Sequence, residues 1–201
     1  MRAHHLFCFT SLVATAVAPA QAADQLRFGK APAWVVPQKI PSLSSSAPAT
    51  APTVVLLSDQ QMQLEPGKMQ TYIEIAMKIQ TSEGLSSGNI SLPWDPATQT
   101  ATVNRLEIHR GDQVIDVLGS GQTFTTIRRE SNLEQAMFDG VLTANIQPEG
   151  LQEGDIIRLA TTTEYSDPIL GKLLRQALPP GTMRPFNLHM HGWSGRVSST
   201  W

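Results

Sequence analysis

Cysteine is nearly missing from this 201-residue sequence. The single one, Cys8, lies in the N-terminal leader. A mature chain without cysteine has no disulfides, no thiolate metal site and no cysteine nucleophile. Charge of one sign is missing too: 15 Lys and Arg stand against 17 Asp and Glu, a net charge of −2. No basic excess is present to neutralise phosphates, which argues against nucleic acid as a partner. Only 16% of residues are charged, so nothing suggests acidic or basic tails. No apolar run approaches the ~20 residues that a membrane-crossing helix needs.

Glycine and proline are plentiful, with 14 of each. That is a turn-rich composition, suited to short strands rather than a helical bundle. The apolar run Leu6–Ala18, followed by Pro19 and the small-x-small triplet Ala20-Gln21-Ala22, reads as a secretory signal cleaved before Ala23. The expected product is periplasmic or secreted, with no membrane span after cleavage. Cys8 lacks the small residues before it that a lipoprotein signal would show.

The mature chain opens with an apolar cluster, Trp34-Val35-Val36, set between prolines. A wet indole is costly, so the segment is expected to be extended and docked on the domain. Residues 40–53 are rich in Pro, Ser and Ala and bury too little to offset their ordering entropy, as a linker would. Strand-like stretches follow from residue 54. In Met69–Thr81, Tyr72, Glu74, Ala76 and Lys78 share one face, and Ile73, Ile75, Met77 and Ile79 the other. With Val54–Leu64 and the turn Glu65-Pro66-Gly67-Lys68, this makes a hairpin.

Ser82–Ser87 reads as loop and Asn89–Trp94 as an edge strand limited by Pro93. Ala101–Arg110 alternates imperfectly, and Gly111-Asp112 returns it into Gln113–Leu118. Between Thr123 and Tyr165 the pattern is strand, charged corner, strand, glycine turn and long strand, with apolar residues alternating inward. Asn132–Met137 is long enough for one helical turn. Leu170, Leu173, Leu174 and Leu178 fall at helical spacing before Pro179-Pro180-Gly181, and no period holds beyond them.

The fold expected is all-β: an antiparallel β-sandwich of seven to nine strands with a short C-terminal helix and an irregular tail. The divisions are a signal at 1–22, an extended segment and linker at 23–53, the sandwich at 54–178 and the tail at 179–201.

The catalytic searches return little. No G-x-S-x-G elbow occurs, and Asp139 and Asp155 sit beside glycines, where turn carboxylates are common. Arg110-Gly111-Asp112 reads as a tight hairpin with flanking charges rather than an adhesive tripeptide. His189-x-His191 would put two imidazoles on one face of a strand, a spacing that can serve zinc, but no third ligand lies near in sequence. Arg128-Arg129-Glu130 reads as a corner ion pair, or as a guanidinium site for a carboxylate or a partner's loop. No catalytic residue, metal or cofactor is expected.

The order of short motifs resembles domain-of-unknown-function family 3857, the exported β-sandwich that precedes a transglutaminase-like core in bacterial proteins. The matching residues are Ala33-Trp34-Val35; Tyr72 with Ile79-Gln80-Thr81 and Glu83-Gly84; Pro96 and Gln99-Thr100; and Arg105 to Arg110. Arg128-Arg129-Glu130, Asp139-Gly140, Gly154-Asp155-Ile156-Ile157 and Asp167-Pro168 complete the set. The hairpin departs from the family's Arg-Asp-Gly by reading Arg110-Gly111-Asp112. The resemblance implies a domain that holds and orients a Cys-His-Asp core, which no residues here supply. The expectation is a non-catalytic binding or scaffolding module whose partner is such a core or another periplasmic protein. The alternatives are a small metal-dependent hydrolase built on His189 and His191, and a truncated gene product without independent function.

Overall fold

The computed structural model describes residues 25–41, 50–65, 67–128 and 140–166, with the backbone of two further strands at 186–191 and 196–200. Two sheets form. In chain order the strands are β1 (Arg27–Phe28), β2 (Thr53–Glu65), β3 (Lys68–Ile79), β4 (Ile90–Trp94), β5 (Gln99–Arg110) and β6 (Gln113–Asp116). Then come β7 (Thr125–Arg128), β8 (Leu142–Ile146), β9 (Ile156–Ser166), β10 (Phe186–His191) and β11 (Arg196–Thr200). The large sheet runs β1-β5-β9-β3-β2-β10-β11, with β6 also on β5; the small one runs β4-β8-β7. Every pairing is antiparallel except β1 on β5. The all-β, sandwich-like class holds, although the strands exceed the seven to nine expected.

The β2–β3 hairpin forms as its sequence dictates. Glu65 pairs Lys68 across the turn, and Gly67 takes φ +82°, where a side chain would be strained. Gly111 takes φ +57° at the tip of the β5–β6 hairpin, so the left-handed position falls on the first turn residue. The imperfect alternation of β5 is a β-bulge: its register against β9 shifts between Val103 and Arg105. One extra residue reverses the parity, so Ala101 and Val103 before the bulge, and Leu106 and Ile108 after it, can all be buried.

One core forms around Ile79, Leu106, Ile108, Val117, Ile146 and Ile157. A second holds Trp94, Ala101, Leu142 and Ala144. Phe124 packs against both and joins them. Each large apolar side chain buried here contributes about 1.5–3 kcal/mol.

Four expectations change. Residues 82–88 form a 3-10 helix instead of a loop, drawn in where Gly84 meets the start of β2. A Cβ on Gly84 would lie 2.1 Å from the Pro52 carbonyl oxygen, so only glycine permits the approach. Thr53 begins β2, and the Pro52 carbonyl accepts from the amides of Gln80 and Thr81, which fixes the end of the segment read as linker. β7 is exposed along its whole length: none of its four side chains enters either core cluster, so inward alternation fails there. The tail is not wholly irregular: β10 pairs β2 from Phe186↔Leu64 to His191↔Asp59, and β11 pairs β10. Edge pairing satisfies backbone groups without requiring an amphipathic period. The helix expected at 169–178 and the turn at 132–137 lie outside the described residues, as do the leader residues Ala20, Ala22 and Ala23.

Candidate functional site

Strand β3 carries opposite chemistry on its two faces. On one side Ile79 is sealed in the core, but Ile75 and Ile73 toward the hairpin end remain 38% and 39% exposed. They open into a groove between the sheets, also lined by Met77, Ile90, Leu92 and Leu159. The small sheet does not cover this half of the large one. The lining is apolar apart from the hydroxyls of Ser87, Ser91 and Thr161. Its physical capacity is to bury the apolar side chains of something else.

On the opposite side the polar residues are the buried ones. Glu74 is 1% exposed and its Oε1 accepts from Arg105 Nη1 at 2.9 Å and Arg158 Nε at 2.8 Å. Arg105 also reaches Glu107 at 3.4 Å, and His109 Nε2 lies 3.1 Å from the same carboxylate. Burial, and then the neighbouring Glu74 carboxylate, push the Tyr72 hydroxyl well above its ordinary pKa, so it stays protonated. Gln61 is fully buried, and its amide donates to Asp59 Oδ2 at 2.7 Å.

A segment from Gly29 to Gln38 crosses this polar face. Leu26 packs in the second core, and the rings of Phe28 and Phe124 meet at 6.2 Å. Asn104 then donates to the carbonyls of Gly29 and Lys30, and the Trp34 indole donates to Gln70 at 2.8 Å. The Gln61 amide binds both the N–H and the carbonyl of Val36, at 2.8 and 2.7 Å. Arg158 Nη2 donates to the Gln38 carbonyl at 2.9 Å. Docking of the Trp34 segment was expected from its composition; the receptor side chains were not. The signal available was the unusual polar face of a strand whose other face is all Ile and Met.

The motif residues singled out in the sequence do not form one cluster. Gly154 and Asp155 make a corner at the start of β9. Gly154 takes φ +90° and its amide donates to the Ile79 carbonyl. Asp155, 1% exposed, accepts from Arg110 Nε and Nη2 at 2.8 and 2.7 Å and from the Gln152 amide at 2.8 Å. Arg110 also donates to the Gly150 carbonyl, so its guanidinium is held within the fold. The hydrogen bond from Arg110 outweighs the effect of burial and holds the Asp155 carboxyl below the usual range. Arg128 lies exposed at the end of β7, with its backbone opposite Leu142. Gly140, at φ +65°, leads into β8. Arg128 belongs to the small sheet and Gly140 precedes its β8, whereas Arg110 ends β5 and Asp155 immediately precedes β9 of the large one. Arg129, Glu130 and Asp139 lie outside the described residues. The backbone register sets His189 opposite Gln61 and His191 opposite Asp59. Among the described residues no group of three metal-ligating side chains occurs, and no helix is long and apolar enough to cross a membrane.

No curated protein matches the chain. Among solved structures, a protein described as a putative protease from Parabacteroides distasonis ATCC 8503 aligns at 13% identity with a TM-score of 0.44. The alignment covers 51% of this chain and 20% of that one, so the chain spans about a fifth of that protein's length. A family model matches residues 65–186, from the end of β2 to the first residue of β10. The chain therefore belongs to the family described as a domain of unknown function with solved structure, DUF3857.

Proposed function

We propose that the chain is an exported, non-catalytic binding and scaffolding module, and that the groove beside β3 receives a second folded unit. The occupant we assign is the transglutaminase-like core that the family resemblance implies, held and oriented by this domain. The observation that carries the reading is the exposure of Ile73 and Ile75 on an interior strand with neighbours on both sides. Interior-strand isoleucines are ordinarily covered, and contiguous apolar patches on monomers mark contact surfaces. The export part of the reading rests on the leader, and mass spectrometry of the secreted chain should show a start at Ala23.

The test is titration of the chain against the purified transglutaminase-like core of a family member. Saturable binding is expected, weakened at least tenfold by Ile73→Asp in a variant whose near-ultraviolet dichroism matches the parent. Equal binding by the variant, or none by the parent at micromolar concentrations, would overturn the assignment.

A second reading, a metal-dependent hydrolase built on His189 and His191, draws on one observation: the register sets His191 opposite the buried Asp59. Stoichiometric zinc in purified protein, lost in His191→Ala, would favour it over the first. Metal-free protein would remove its basis.

A further inference from the structure

We propose that the polar face of β2, β3, β9 and β5 is a binding cleft for an extended polypeptide segment, which residues 29–38 fill in cis. The hydrogen bonds described across this interface, other than that of the Trp34 indole, engage the main chain of the crossing segment. Val103 accepts from the Gly29 amide, Asn104 serves the carbonyls of Gly29 and Lys30, Gln61 serves both polar groups of Val36, and Arg158 serves the carbonyl of Gln38. Recognition through the backbone is how sheet edges and grooves take extended peptides of varied sequence. Apart from the Trp34 indole, the guest is held more by its backbone than by its side chains: Val36, gripped at both main-chain groups, is itself 49% exposed.

The receptor groups are held in place before they meet the guest. Asp59 fixes the Gln61 amide, and Glu74 fixes Arg158. Asp59 and Glu74 are positioning residues here: they act through the receptor side chains Gln61 and Arg158. Buried ionised groups are a costly way to cover a sheet, since apolar packing of the same volume is equal or better for stability. What they supply is preorganised donors and acceptors spaced for an extended chain, which cuts the ordering cost of binding. Continuous with this, β1 adds to the β5 edge as a parallel strand, again through main-chain pairing. The cleft thus discriminates by extended backbone and by one indole that reaches Gln70, and its cis occupant competes with any peptide supplied in trans.

The test uses the full mature chain with a protease site placed within residues 42–49 and cut after folding. The released segment should dissociate on dilution while the near-ultraviolet dichroism of the remainder persists. A fluorescent peptide of residues 27–40 should then bind saturably. Replacing Val35, Val36 and Gln38 in that peptide by Ala should change its affinity less than about threefold. Replacing Trp34 by Ala, or Gln61 by Ala in the domain, should weaken it at least tenfold, a loss of about 1.4 kcal/mol. If Gln61→Ala does not fold, competition by unlabelled parent and Trp34→Ala peptides on the cut parent decides alone. A segment that stays bound at every dilution, unfolds the remainder on leaving, or rebinds no more tightly than its Trp34→Ala form would overturn the proposal.

Discussion

The two faces of β3 invert the usual relation between polarity and burial. Glu74 is sealed while Ile73 and Ile75, its neighbours in sequence, meet solvent. Hydrophobicity alone would have turned the isoleucines inward. What decides otherwise is coverage. The polar face has a cover, the Gly29–Gln38 segment, and beneath it Glu74 is held by Arg105 and Arg158 while Asp59 is met by Gln61. Among the described residues, the apolar face is sealed at Ile79, where Ile146 of the small sheet joins the core, and left open at Ile73 and Ile75. Burial in this sheet is therefore a property of what lies over a residue, and the alternation of side chains says only which residues share a fate.

The sharpest way to break that comparison is to remove the buried charge. Glu74→Ala leaves Arg105 and Arg158 without their shared acceptor, and Arg158 is itself mostly buried. Loss of one member of a buried ionic group costs about 3–5 kcal/mol. The urea midpoint should fall accordingly. A variant as stable as the parent would mean that the arginines find solvent and that the polar face is not truly enclosed.

The Arg110–Asp155 corner gives a smaller effect with a pH signature. Asp155→Asn should cost about 1.5–3 kcal/mol near neutral pH by loss of a charged hydrogen bond. The folded-state pKa of Asp155 is lowered, first by the Arg110 hydrogen bond. The carboxylate's contribution is therefore fully present above the unfolded carboxyl's ordinary value of about 4, and disappears as pH falls through the folded value. The stability gap between parent and variant should close on acidification below that value. A gap that is constant with pH would show that the ion pair contributes nothing.

At the sealed end of the apolar face, Gly84→Ala probes how the core is closed. The added methyl meets backbone, which cannot rotate aside, so overpacking of about 1–3 kcal/mol is expected in thermal unfolding. A neutral result would mean that the 3-10 helix can lift from Pro52 freely.

Much of the fold is legible in the sequence because strands have a local period and glycine turns have local rules. The β2–β3 hairpin, the Gly111-Asp112 turn and the Pro93 edge strand all follow from neighbours in the chain. The bulge in β5 is less so: broken alternation from Val103 to Leu106 is visible, but its cause is a partner strand more than fifty residues away. Coverage is not legible at all. The composition of Trp34-Val35-Val36 says that the segment docks, and nothing local says that Gln61 and Arg158 receive it. The family motif Gly154-Asp155 is visible as a pair, while its partner Arg110 sits 45 residues upstream, inside what reads as a separate tripeptide.

The smallest effect is the most informative about function. Ile75→Thr keeps a β-branched side chain that suits a strand, and removes apolar surface that is already partly wet. Its cost should stay within about 0.5 kcal/mol, as for surface positions generally. Ile79→Thr, on the same strand and the same face but fully buried, should cost several times more. Equal costs at the two positions would mean that the groove is closed in solution and that the apolar face is one continuous core. A near-neutral Ile75→Thr beside a costly Ile79→Thr would mean that the fold does not need the isoleucine at 75. That outcome would leave the isoleucine at 75 free to serve the contact proposed for the groove.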